Sequence, residues 1–260
     1  MEERSGHEGQ FTLKGRVALV TGSARGIGWG IARGMAEAGA HVVLNDLRGD
    51  VLEPRLEELR AAGLQGSACA FDVTDEAAVA AGVERIVAER GRVDILVNNA
   101  GIQKRKRFTD FGYDEWRAVI DTHLNGAFLA TRAVLPHMTA NRFGRIIMIG
   151  SIAVQAPKAQ IPAYAAAKGG VTSMVRALAV EVAPLGITCN AIAPGYIATE
   201  FTRVLHTNEA FTGRLMERVP AGRWGLPQDI APAAVYLASA AGAFVNGSVL
   251  TVDGGFLACG

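Results

Sequence analysis

Seven short apolar runs punctuate the chain: RVALV, HVVLN, SACAF, VDILVN, GRIIMI, ITCNAI and SVLTV. Each is nearly continuous rather than alternating in polarity, the pattern of a strand covered on both faces. Stretches with helical periodicity lie between them, near 26–38, 53–62, 75–90, 114–140, 162–183 and 228–239. Thr74 and Asp75 ahead of Glu76 give the third of these a helix-start signal. Strand and helix alternating throughout predict right-handed crossovers and an α/β fold, a doubly wound parallel sheet of about seven strands with helices on both faces. Residues 1–10 are polar and read as a flexible tail, leaving 11–260 as one domain. The segment from about 199 to 226 fits the rhythm least well. It carries Gly213, Pro220, Gly222 and Gly225 and reads either as a lid over a substrate or as a connecting helix.

Composition narrows the function classes. At 260 residues, half of them hydrophobic, the chain can bury a sizeable core. The formal charge of +1 gives no global bias toward nucleic acid or an anionic membrane. Cys69, Cys189 and Cys259 are widely spaced and odd in number, so neither a disulfide framework nor a metal cluster is expected, and reduced cytoplasmic thiols are. The start MEERSGHEGQ lacks the apolar core of a signal peptide, and no run approaches the length of a membrane span. The partner expected is a small molecule.

The chemistry-bearing residues begin with TGSARGIG, Thr21 to Gly28, which follows the first apolar run and precedes the first helix. Gly22, Gly26 and Gly28 let backbone turn sharply and approach a pyrophosphate, while the helix start beyond offers free N–H groups. Ser23, Arg25 and Ile27 complete this candidate phosphate cradle, the mark of a Rossmann-type fold. Asp46, with Leu47 after it, ends the second strand and can accept hydrogen bonds from adenosine ribose hydroxyls. It would also repel a 2′-phosphate, by roughly 4 kcal/mol per charge pair at 4 Å and an effective dielectric of ~20. NAD is therefore expected over NADP, with Arg25 and Arg48 as residues that could still reach a phosphate. Asp72, beside Val73, is a candidate for the adenine amino group or for a helix cap. Asn99, Ala100 and Gly101 of the NNAG run are small or amide residues past which a dinucleotide can lie.

Ser151, Tyr164 and Lys168 form the second constellation. Tyr164 and Lys168 share a helical face, and Ser151 closes the strand GRIIMIGS. A secondary alcohol gives up a hydride only if its hydroxyl proton leaves too, so a base must sit beside the reacting oxygen. Lowering a tyrosine from ~10 to ~7 takes about 4 kcal/mol of phenolate stabilisation, which the Lys168 ammonium is expected to supply. Ser151 can polarise the carbonyl.

These motifs, with NNAG and PGYIAT, resemble the short-chain dehydrogenase/reductase family over about residues 11–257. The resemblance implies an NAD(P)-dependent enzyme interconverting a secondary alcohol and a ketone. It implies Pro194, Gly195, Ile197 and Thr199 around the nicotinamide, and a homotetramer built through the last strand and two long helices. Where the family pattern carries a relay asparagine, this chain reads His123-Leu124-Asn125, so either His123 is a catalytic replacement, or Asn125 compensates, or the relay is impaired. NNAGIQKRKRF, NEAFTGRL, VPAGRWG and FVNGSVLTVDGG are similar to the family's gluconate 5-dehydrogenases. Lys104 or Arg105 of the basic cluster could then pair with a substrate carboxylate. The competing readings are a 3-oxoacyl-[acyl-carrier-protein] reductase and a nucleotide-binding regulator without turnover.

Overall fold

The structure, a computed structural model, describes residues 7–259. Seven strands of the described residues form one sheet: β1 (Val17–Val20), β2 (His41–Leu44), β3 (Gly66–Ala68), β4 (Ile95–Asn98), β5 (Gly144–Ile149), β6 (Ile187–Pro194) and β7 (Val249–Val252). Their order is β3-β2-β1-β4-β5-β6-β7, every pair parallel. The order reverses direction between β1 and β4, which opens a crevice at the carboxyl ends of those strands. Among the described residues, nine helices connect and cover the sheet: α1 (Gly26–Glu37), α2 (Glu53–Ala61), α3 (Glu76–Arg90), α4 (Tyr113–Ile120), α5 (Gly126–Ala140), α6 (Pro162–Val182), α7 (Arg203–His206), α8 (Glu209–Met216) and α9 (Pro227–Ala238).

The apolar runs become strands because both faces are covered. Successive residues of β1 enter opposite cores: Ala18 and Val20 pack in the layer with α1, α2 and α9, Val17 and Leu19 in the layer with α3, α5 and α6. β1, β4, β5 and β6 are buried at every position. β3 differs from expectation. It spans Gly66–Ala68 and stops short of the apolar end of SACAF, because it pairs with β2 alone at the sheet edge. Asp75 caps α3 as its position suggested, its carboxylate accepting from the Ala78 N–H at 3.0 Å.

Two further departures shape the site. The long helical stretch at 114–140 is interrupted by a π-turn over Asp121–Asn125, between α4 and α5. And His7–Phe11, at the boundary drawn for the tail, forms a 3-10 turn, while residues 1–6 lie outside the described residues. The 199–226 segment holds α7 and α8. A third, smaller core lies beneath them, formed by Ile152, Leu215, Val219 and Phe256 with Tyr196, Phe211 and Trp224 packed against it. No helix among the described residues is long and apolar enough to cross a membrane.

Candidate active site

The glycine turn is shaped by contact. Gly22 and Gly26 have φ of 62° and 57°, which favours glycine. A Cβ on Gly22 would lie 2.8 Å from the Ala100 Cα, and one on Gly28 would collide with the Gly22 carbonyl oxygen and the Asn99 amide. That amide donates to the Thr21 and Gly22 carbonyls, both at 2.9 Å, so NNAG clamps the turn from below. The Thr21 hydroxyl in turn accepts from the Asn99 and Ala100 N–H groups. Ser23 faces inward, its hydroxyl and N–H both engaged with the Asn45 backbone. The start of α1 has no side-chain cap and no acidic residue in its first turn. Its free N–H groups around Gly26, Ile27 and Gly28 therefore suit an anion, and the residues present fit a dinucleotide pyrophosphate. Thr199 lies over this cradle, its Cγ2 3.5 Å from where a Cβ on Gly26 would stand. The segment from Pro194 and Gly195 through Ile197 reaches there because β6 ends beside β7 and Ile197 bridges to Gly225.

Asp46 sits half-buried just past β2, one carboxylate oxygen accepting the Leu47 N–H at 2.9 Å. Arg48 pairs with Asp50 at 3.4 Å, Arg25 is exposed at the turn, and the Arg55 guanidinium donates to the Ala24 carbonyl at 2.8 Å. One Asp72 oxygen accepts from both the N–H and the hydroxyl of Thr74 at 2.8 Å, ordering the turn into α3 beside the buried Val73. The cap-like role thus occupies one oxygen and leaves the other.

Ser151, Tyr164 and Lys168 converge as their spacing suggested. Lys168 is only 4% exposed, and its ammonium donates to the Ile149 carbonyl at 2.5 Å, tying α6 to the end of β5. Its Nζ lies 5.6 Å from the centre of the Tyr164 ring. The Ser151 hydroxyl faces the phenol and favours its ionised form. The electrostatic balance differs from expectation. Burial raises the Tyr164 phenol above its ordinary range, against the opposing pulls of Ser151 and of the Arg105 charge, and burial lowers Lys168 to about 7. The acidified phenol expected from Lys168 is not present in this state, because desolvation outweighs a charge directed at a backbone carbonyl.

His123 lies beside this set, 4% exposed, its ring edge-on to Tyr164 with centroids 5.3 Å apart. Burial, then the neighbouring Lys168 charge, lowers its pKa to about 3 against a hydrogen bond to Ile102 that favours the charged form, so the imidazole is neutral at ordinary pH. Asn125 does not compensate for it. It is exposed, and its amide donates to Asp121 at 2.7 Å across the π-turn.

The basic cluster divides by direction. Lys106 pairs with Glu115 at 2.7 Å, and Lys104 contributes to the field at the same carboxylate. Arg105 is exposed on the same loop; partial desolvation lowers its pKa, against the pull of the Tyr196 and Tyr164 phenols, which lie close enough to act on its charge. The Lys106 N–H donates to the Gln160 carbonyl at 3.0 Å, joining the basic loop to the loop after Ser151. Sequence reasoning missed Tyr196 and its neighbours. Tyr196 packs against Phe256 and Trp224 with centroids 5.3 and 5.6 Å apart, and no local periodicity marks it because its partners come from distant segments. Phe201, from the 199–226 segment, approaches Tyr164 with ring centroids 6.1 Å apart.

A family model described as enoyl-(acyl carrier protein) reductase matches residues 22–257. The chain belongs to the short-chain dehydrogenase/reductase family. It is thereby an NAD(P)-dependent oxidoreductase. It is 44% identical over 247 residues to the 5-keto-D-gluconate 5-reductase of Escherichia coli (strain K12), covering 95% of this chain and 97% of that protein. It is 43% identical over 249 residues to the gluconate 5-dehydrogenase of Gluconobacter oxydans (strain 621H), covering 96% and 97%. A gluconate 5-dehydrogenase from Burkholderia cenocepacia, solved in complex with NADP and tartrate, superposes with a TM-score of 0.94 at 43% identity over 96% of this chain and 98% of that one.

Proposed function

We propose that this oxidoreductase is a gluconate 5-dehydrogenase or a related sugar-acid dehydrogenase, interconverting D-gluconate and 5-keto-D-gluconate. The observation that carries the substrate class is Arg105, an exposed guanidinium on the basic loop close enough to Tyr196 and Tyr164 to feel their charge, where a carboxylate would find a charge-assisted partner. The names of the relatives support the same reading. When bound at the α1 cradle, the nicotinamide supplies or accepts the hydride. In reduction the Tyr164 phenol donates its proton to the carbonyl oxygen as it becomes an alkoxide, and in oxidation its phenolate takes that proton back. Ser151 holds the reacting oxygen by its hydroxyl, and Lys168 fixes the Tyr164 helix against β5. Phe201 and the short helices α7 and α8 serve as a lid resting on the third core. Asp46 favours NAD, since its carboxylate just past β2 would repel a 2′-phosphate.

A panel of sugar acids, polyols, steroids and oxoacyl thioesters, read by NADH and NADPH absorbance, tests this. The expected result is fastest turnover on gluconate or 5-ketogluconate, with NAD preferred. Arg105→Leu should raise the KM for a sugar acid about 10- to 100-fold, the loss of one charge-assisted hydrogen bond, and leave the KM for a neutral polyol within about threefold. The basic loop also suits an acyl carrier, so faster reduction of an oxoacyl thioester with NADPH would install that rival.

We further propose a homotetramer in the cytoplasm. Phe128 on α5, Val180 on α6 and Phe244 before the edge strand β7 are large apolar side chains left exposed on one chain. Cys69 and Cys189 are buried free thiols and Cys259 is an exposed one, in keeping with a reducing compartment. Light scattering should give a mass close to four chains, and a monomer at micromolar concentration would reject the assembly.

A further inference from the structure

The π-turn at Asp121–Asn125 places one side chain in the interior, that of His123. Its Nε2 lies 2.8 Å from the Ile102 carbonyl oxygen. A carbonyl only accepts, so Nε2 carries the hydrogen, and a neutral ring then leaves Nδ1 as a bare acceptor. Nδ1 is buried with no hydrogen-bond partner among the described residues. Gly101 packs directly on that edge of the ring, since a Cβ there would lie 2.8 Å from Nδ1 and collide with Cε1. His123 also lines a small cavity with Thr21, Val73, Asn98, Ala100, Thr122, Gly126 and Ala127, in which the centre of a water has about 10 Å³ to occupy. That is about the room one water needs.

The polar groups around this space have unequal capacity left. The Thr21 hydroxyl donates to Val97 and accepts from two N–H groups, so it is saturated. The Thr122 hydroxyl donates to the Ala118 carbonyl at 2.8 Å and keeps its lone pairs. The Asn98 amide donates one hydrogen to Thr131 at 3.0 Å and keeps the other. A single water can donate to His123 Nδ1 and to Thr122 Oγ1 while accepting from the Asn98 amide.

We propose that His123 is a positioning residue, locked in its Nε2–H tautomer between the Ile102 carbonyl and one structural water held with Thr122 and Asn98, and that it fixes the Gly101–Ile102 segment against the reacting phenol. The proposal rests on the reading of Tyr164 as acid and base, but its first readout needs no turnover. In protein labelled with 15N at histidine, with His123→Gln identifying the signal, long-range 1H–15N correlation spectra should show an Nε2–H ring. Its Nδ1 shift should be that of a hydrogen-bonded acceptor, constant from pH 5 to pH 9. An Nδ1–H tautomer, a titration within that range, or the shift of an unbonded Nδ1 overturns it. In kinetics, His123→Leu removes both contacts and should lower kcat about tenfold, the equivalent of one buried hydrogen bond. His123→Gln, whose amide nitrogen can stand in for Nε2, should recover kcat to within about threefold of the parent. Equal losses in both variants, with fold intact by circular dichroism, also overturn the positioning role. Failure of the Tyr164 reading would leave the spectra as described and appear only in the Tyr164→Phe variant.

Discussion

Tyr164→Phe should lower turnover about a thousandfold in both directions while dinucleotide affinity stays within about twofold. The substitution removes one oxygen and leaves the ring that packs against His123 and Phe201. General acid–base catalysis by a positioned side chain contributes about 10²- to 10⁴-fold, and the Tyr164 phenol is the titratable group beside the Ser151 hydroxyl. The pH dependence follows from the same phenol. Burial raises its pKa above the ordinary 10.0, so the protonated form dominates at neutral pH. Reduction needs that form and should be flat through neutrality, then fall in alkali. Oxidation needs the phenolate and should climb with pH beyond 7, the region in which Lys168 also loses its proton. Stopped-flow rates with saturating cofactor, taken in both directions, check this. Substantial turnover in the phenylalanine variant, or an oxidation rate that falls as pH rises from 7 to 10, would remove Tyr164 from the reaction.

The second large effect is expected at Gly28. Gly28→Ala introduces one methyl group into a space bounded by the Gly22 carbonyl and the Asn99 amide, both parts of a fixed hydrogen-bonded clamp. Neither can move without opening the turn that Gly22 and Gly26 form at positive φ. Overpacking of this kind costs about 1–3 kcal/mol, and here it falls on the geometry that presents the α1 N–H groups. Dinucleotide affinity by fluorescence titration should therefore fall about 10- to 100-fold, with kcat at saturation falling far less. Affinity unchanged by the methyl group would mean that the cradle does not bind the pyrophosphate.

Much of this architecture could be read from the chain because its signals are local. A continuous apolar run such as VDILVN makes a strand buried on both faces, and the four-residue interval from Tyr164 to Lys168 places both on one side of α6. Asp75 caps the helix it precedes. What stayed hidden depends on contacts between distant segments. Ser23 sits in a phosphate-loop sequence, yet its hydroxyl turns inward to Asn45, 22 positions away. Nothing in DTHLN announces a π-turn, and nothing in the spacing of Tyr164 and Lys168 says that burial outweighs the ammonium at the phenol. Of four consecutive basic residues, Lys106 finds Glu115 while Arg105 lies in the field of the phenols, a division set by the fold of the loop. The core under α7 and α8 draws Ile152, Tyr196, Trp224 and Phe256 from four regions, so no window of sequence contains its pattern.

That same small core is drawn from distant places in the chain, so its loosening is felt at all of them at once. Phe256 packs against Tyr196 and shares the cluster with Ile152, Leu215 and Val219. A local opening there frees the segments after Ser151 and above the site together, while the two larger cores that flank the sheet, built from other residues, stay closed.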